Sequence, residues 1–198
     1  MLINKENKDY KINSFNVSSI VILSTFAILL LYLSNAFLSD NTKQAWADSV
    51  ITTIPLGPNP FAIAEPYGVA YDPNDSRVYV ADFGINSVSV IDTKTNTVNA
   101  TISDGSGIYD VAYDSHDGRV YVTNYGTSSV SVIDTKTNTV NATITVGTQP
   151  YGIAYDPNDG WVYVTNYGSN TVSVIDTKTN TVITTIPVGF EPTGVAYD

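Results

Sequence analysis

From residue 49 onward the chain alternates short apolar runs with clusters of turn-forming residues. Over Pro150–Gly189 the runs "YGIAYD", "WVYVTN", "TVSVID" and "VITTIPVG" are divided by "DPNDG", "NYGSN" and "DTKTNT". Four runs rich in β-branched and aromatic residues, broken by Asp, Asn, Gly and Pro, predict a four-stranded antiparallel meander. In the first turn Asp156 accepts backbone N–H groups, Pro157 presets its dihedral and Gly160 tolerates positive φ. In the last, Asp176 starts the reversal and Asn180 takes the left-handed position. Trp161 and Tyr163 alternate with Val162 and Val164, so both faces of that strand are apolar and both are covered. Pro187 has no N–H to give a ladder, which marks the fourth run as an edge strand.

The same meander is written three times. Tyr79, Tyr121 and Tyr163 stand 42 residues apart, opening "YVAD", "YVTN" and "YVTN". The "AYD" triplets ending at Asp72, Asp114, Asp156 and Asp198 keep this step, as does "VSVIDTKTNTV" starting at Val88, Val130 and Val172. A fixed period of about 40–45 residues is that of a four-stranded propeller blade. The fold expected is therefore all-β, a propeller of 42-residue blades. "SVITTIPLG" at Ser49–Gly57 reads as the last strand of a preceding blade and "TGVAYD" as the first strand of a following one. Three complete blades with two orphan strands do not close a ring of four to eight blades, so the expected propeller is open or truncated, with a longer parent.

These motifs carry a resemblance. "YVTN", "VIDTKTNTV" and the 42-residue step together resemble the YVTN β-propeller repeat family over residues 48–198. The resemblance implies blades around a central channel, in secreted or envelope proteins that include surface-layer components. Related propellers implied by it include a streptogramin lyase and the haem-bearing domain of a nitrite reductase.

Residues 1–47 are of another kind. Ile12–Ser39 carries no charge, and the 22 residues Val17–Leu38 are long enough to cross a bilayer as a helix, with Lys5, Lys8 and Lys11 before them. The segment reads as a signal peptide, cleaved after Ala36 or Ala47, or as a retained transmembrane anchor. Both place the repeats outside the cytoplasm, secreted or at the cell surface.

Composition narrows the chemistry. The chain has no Cys and one His, which excludes disulfides, thiolate sites and multi-histidine metal centres within it. Nine Lys and Arg against 19 Asp and Glu give a net charge of −10, unsuited to a nucleic-acid backbone. No phosphate loop, nucleophile elbow or nicotinamide fingerprint is present. No catalytic, cofactor-binding or metal residue is therefore expected. A carboxylate pair such as Asp72 with Asp75 or Asp156 with Asp159 invites a calcium or glycosidase reading, but its repetition in each blade points to Asx turns. His116 replaces Asn74 and Asn158 in such a turn. The Gly57–Pro66 connection is six residues longer than Gly189–Pro192, so Phe61 and Glu65 there either form a lip over the channel or belong to a plain loop. Asn74, Asn99 and Asn141 lie in N-glycosylation sequons.

These features predict an exported or membrane-anchored, non-enzymatic propeller acting as an envelope interaction module, with protein or glycan partners. The alternative is part of a propeller enzyme, of lyase or oxidoreductase kind, with its active site in other blades.

Overall fold

The computed structural model describes residues 19–22, 28–32, 52–56 and 64–197. Three four-stranded antiparallel sheets carry the repeats. The first blade is β4 (Pro66–Asp72), β5 (Arg77–Asp82), β6 (Ser87–Asp92) and β7 (Thr97–Ser103), paired in that order. The second is β8 (Ile108–Asp114), β9 (Arg119–Asn124), β10 (Ser129–Asp134) and β11 (Thr139–Thr145). The third is β12 (Pro150–Asp156), β13 (Trp161–Asn166), β14 (Thr171–Asp176) and β15 (Thr181–Pro187). Pro187 closes β15, an edge strand, as the missing N–H requires.

The turns form as their residues dictate. Asp72, Asp114 and Asp156 each accept the backbone N–H two residues on at 2.8 Å. Asp92, Asp134 and Asp176 do the same at 2.7–2.8 Å in the third-to-fourth-strand turns. Asn96, Asn138 and Asn180 take φ of 53–54° there, and Gly160 takes 71°.

Blades stack face to face. Tyr79, Ala81, Val88 and Val90 of the first pack with Val111, Val120, Val122 and Ile133 of the second. Tyr121, Val130 and Val132 then pack with Ile153, Val162, Val164 and Ile175 of the third. Val78, Val80 and Ile91 cover the other side of the first blade against Ile54 and Leu56. Both faces of β5 and β9 are thus buried, and period-2 alternation divides each strand between two cores. The first strands β4, β8 and β12 lie side by side between blades, which makes them the channel-facing strands.

The repeated tetrapeptide is explained by four separate bonds and contacts. Tyr121 is buried and its hydroxyl donates to Asn180 Oδ1 of the next blade at 3.1 Å. Val122 fills the opposite core. Thr123 Oγ1 donates to the Tyr151 carbonyl of β12 at 2.9 Å and accepts from Asp110 N at 2.9 Å. Asn124 Nδ2 ties β9 to Ser131 of β10 at 2.8 Å, and Asn166 repeats this with Ser173 at 2.9 Å. Arg77 and Arg119 add a clasp, donating to the Thr135 and Thr177 carbonyls of the following blade at 2.7 and 3.0 Å.

Two expectations are corrected at the flanks. Within the segment expected as an apolar helix the described residues form strands, β1 (Ser19–Ile22) and β2 (Ile28–Tyr32), and β2 pairs with β3 (Thr52–Pro55), while the rest of Val17–Leu38 lies outside the described residues. β3 is the stray fourth strand read from "SVITTIPLG", and its unpaired edge is taken by the nearest β-branched and leucine-rich segment. Among the described residues no helix is long and apolar enough to cross a membrane. "TGVAYD" joins no ladder, having no antiparallel partner among the described residues, yet Thr193 O lies 3.5 Å from Thr165 Oγ1 beside the third blade. Ala36 and Ala47 lie outside the described residues.

Candidate functional site

Each blade runs down, up, down and up, so its turns fall at two ends. One end carries the turns after the first and third strands, and the other carries those after the second strand and between blades. The second end holds the aromatic residues. Tyr67, Tyr109 and Tyr151 occupy the second position of β4, β8 and β12, and Phe83, Tyr125 and Tyr167 follow β5, β9 and β13. Tyr109 stacks on Tyr151 at 4.4 Å between ring centroids, meets Tyr67 and Phe83 at 4.9 Å each and Tyr125 at 5.2 Å. Tyr167 continues the row from Tyr151 at 6.3 Å. The result is a continuous aromatic shelf around the channel mouth, half-buried except for the exposed Tyr67.

A single carboxylate lies under the shelf. Asp110 stands where the other first strands have Gly68 and Gly152. Its Oδ1 accepts Val111 N at 2.9 Å and its Oδ2 accepts Ile153 N at 3.1 Å, so it bridges β8 to β12. A Cβ on Gly68 would lie 2.2 Å from Asp110 Oδ1, so the first blade must keep glycine to admit the carboxylate of the second. Burial raises Asp110 to about 6, against the lowering pull of the two N–H groups. Burial also raises Tyr109 and Tyr151, and the Glu191 carboxylate raises Tyr167, so these phenols remain proton donors at neutral pH.

Beside the mouth, Asp82 stands where the later blades have Asn124 and Asn166. It is fully buried, accepts Ser89 Oγ at 2.6 Å and has its other oxygen unpartnered. Burial drives its acid to about 7.

The sites read from sequence are dispersed. His116 is exposed in the β8–β9 turn, at the end away from the aromatic shelf. Glu65 sits at the mouth and its carbonyl accepts Phe83 N at 3.1 Å, while Phe61 lies outside the described residues. Asn99 and Asn141 are exposed on the outer strands β7 and β11, and Asn74 is exposed but donates to Tyr113 OH at 2.8 Å. The first acids of the DPND turns, Asp72 and Asp156, are committed to backbone N–H groups, and Asp75 lies 3.7 Å from the Arg77 guanidinium. Among the described residues no three His, Asp or Glu side chains converge as a metal site.

Asp110 was detectable in the sequence as a break in the Gly step at 68, 110, 152 and 194. The aromatic shelf was not, because residues identical in every copy read as blade scaffold. In a ring, equivalent positions meet at one mouth and build a surface jointly.

The family model of the cytochrome D1 heme domain matches residues 71–193, more than half of the chain. The chain belongs to this family. Among solved structures it is similar to hydrazine synthase from Kuenenia stuttgartiensis, with 25% identity and a TM-score of 0.63, over 66% of this chain and 38% of that one. Virginiamycin B lyase from Staphylococcus aureus, solved with quinupristin, shares the fold with 18% identity and a TM-score of 0.61, over 72% of this chain and 48% of that one. A PE-PGRS family protein of Mycobacterium tuberculosis is 54% identical over 43 residues, 22% of this chain and 9% of that protein. The chain thus spans less than half the length of these relatives. The reading of the repeats as non-enzymatic is overturned by this membership and by the propeller enzymes the chain resembles.

Membership in the family implies a haem, and the donor set tests the fit. The chain has no Cys, its one His lies at the opposite end, and among the described residues the mouth's oxygen donors are carboxylates and phenols, of which Tyr109, Tyr151 and Tyr167 are held in the protonated form. An acidic mouth also opposes the carboxylates of a haem. The described residues therefore do not fit as the iron-binding side of such a pocket.

Proposed function

We propose that this chain forms an arc of a cytochrome D1-type propeller oxidoreductase located outside the cytoplasm. Blades one to three supply wall and mouth, and the redox centre is held by other blades or another chain. The family match over residues 71–193 carries the reading. The chain's coverage of only 38% and 48% of the hydrazine synthase and lyase chains is in keeping with an arc. The location rests on the apolar leader, and the YVTN-type repeats are in keeping with it. The test is purification of the native protein from the membrane and secreted fractions, followed by its visible spectrum and its nitrite-dependent oxidation of a reduced dye. A bound chromophore with multiple turnovers is the expected result. Native material with neither overturns the proposal.

A second reading, a propeller lyase, is favoured by one observation. Asp110 and Tyr109 are adjacent proton-carrying groups on the channel strand, and the carboxylate occurs in the second blade alone. Ring opening of quinupristin by the same preparation, lost on Asp110→Asn, would establish it over the first.

A further inference from the structure

Charge is sorted between the two ends of the blades. All five basic side chains of the described residues, Arg77, Lys94, Arg119, Lys136 and Lys178, lie at or in the turns of the end away from the shelf. Among the described residues the mouth end has none. It carries Glu65, Asp82, Asp104, Asp110 and Glu191 together with the six aromatic rings. Glu65 and Glu191 are exposed on its rim.

A second observation concerns acceptors. Asp82 Oδ1, Asp104 Oδ2, Asn124 Oδ1 and Asn166 Oδ1 are buried at this same end without a hydrogen-bond partner. Asn124 is 1% exposed, and a Cβ on Gly105 of the β7–β8 rim loop would lie 2.3 Å from its Oδ1, so that oxygen faces the rim. The Asn124 and Asn166 amide oxygens and the Asp104 carboxylate oxygen accept and do not donate. Among the described residues this surface of π-faces, carboxylates and spare acceptors carries no cation, so it repels anions and suits a positively charged guest.

We propose that the mouth binds an organic cation, a substituted ammonium seated over the Tyr109–Tyr151 stack, with Tyr67 beside it and the Glu65 and Asp110 carboxylates supplying long-range attraction. The assignment goes beyond the enzymatic reading, since it concerns a ligand of the mouth and is independent of the anionic oxidant by which turnover is tested. Cation–π attraction supplies about 0.5–2 kcal/mol per well-placed ring, and a partly hydrated site lies at the lower end. The rim carboxylates are solvent-exposed, so their share fades with salt.

The experiment compares choline with its uncharged isostere 3,3-dimethylbutan-1-ol by NMR titration of the full native protein. Choline is expected to bind at least about tenfold more tightly, and more weakly as salt rises from 20 to 500 mM, values chosen for a Debye length falling from roughly 20 to 4 Å. Tyr109→Leu is expected to weaken choline about fivefold or more, Tyr109→Phe less than twofold, and Lys136→Ala at the far end not at all. Equal binding of the two ligands, or no choline binding, overturns the proposal without recourse to any variant. Choline binding by a protein with no turnover would leave this site standing and remove the enzymatic reading. Turnover without discrimination between the two ligands would do the reverse.

Discussion

Asp82 is an acid where its repeats have an amide, and its cost is set by pH. Burial raises the folded acid to about 7, above the usual carboxylate value of the unfolded chain. The folded state therefore holds the proton more tightly, and its stabilising contribution, full below about pH 4, is lost as pH rises through 7. Asp82→Asn, which copies Asn124 and Asn166, should remove this slope and stabilise the chain at pH 8 by on the order of 3 kcal/mol, with little gain at pH 4. Urea midpoints at the two pH values measure it, and parallel wild-type and variant profiles would sink it. His116 presents the opposite case. Asn74 donates to Tyr113 OH at 2.8 Å and Asn158 donates to Tyr197 OH, whereas Tyr155, the partner expected for position 116, has an unpartnered hydroxyl. His116→Asn should restore that bridge and raise stability by about 1 kcal/mol, with Tyr155→Phe abolishing the gain.

At the scale of elements, the turns between third and fourth strands were the most legible part of the sequence. Asp at the start and Asn in the left-handed position are local chemistry, so "DTKTNT" announced its own geometry, and Asn180 has φ of 53° as its residue type required. Replacing Asn96, φ 54°, by Ala should cost about 1 kcal/mol or more while Gly is nearly neutral. An Ala variant as stable as Gly would show that the turn relaxes out of this conformation. The aromatic shelf and the β1–β2 pairing were illegible for one shared reason. Both depend on which surfaces are brought together in space. Val17–Leu38 satisfies a helix of membrane length on hydropathy alone, and only the open edge of β3 favours extended pairing. Asp110 lies between these cases, since its break in the Gly step was readable but its bridge to Ile153 required the neighbouring strand.

Across the whole molecule, stability lies between blades rather than within them. Tyr79 and Tyr121 are wholly buried against a following blade, while Tyr163 on the third is half-buried. Tyr121→Ala should cost roughly 3–5 kcal/mol and Tyr163→Ala clearly less. Denaturant titration of both decides it, and equal losses would mean that the outer face of the third blade is covered by something else. The clasps reach forward by a constant offset: Arg77 to Thr135 and Arg119 to Thr177 both span 58 residues. Apart from the fit of Asp110 against Gly68 at the mouth, the contacts joining one blade to the next are repeated and do not record its ordinal place. A 42-residue segment could be duplicated or excised and its neighbours would meet the surfaces they already fit, as a genetic slippage event requires. The mycobacterial likeness, 43 residues long, is the size of one such unit. Ring size is then recorded in the length of the coding sequence rather than in any residue, and lineages can change the number of blades without first changing the blade.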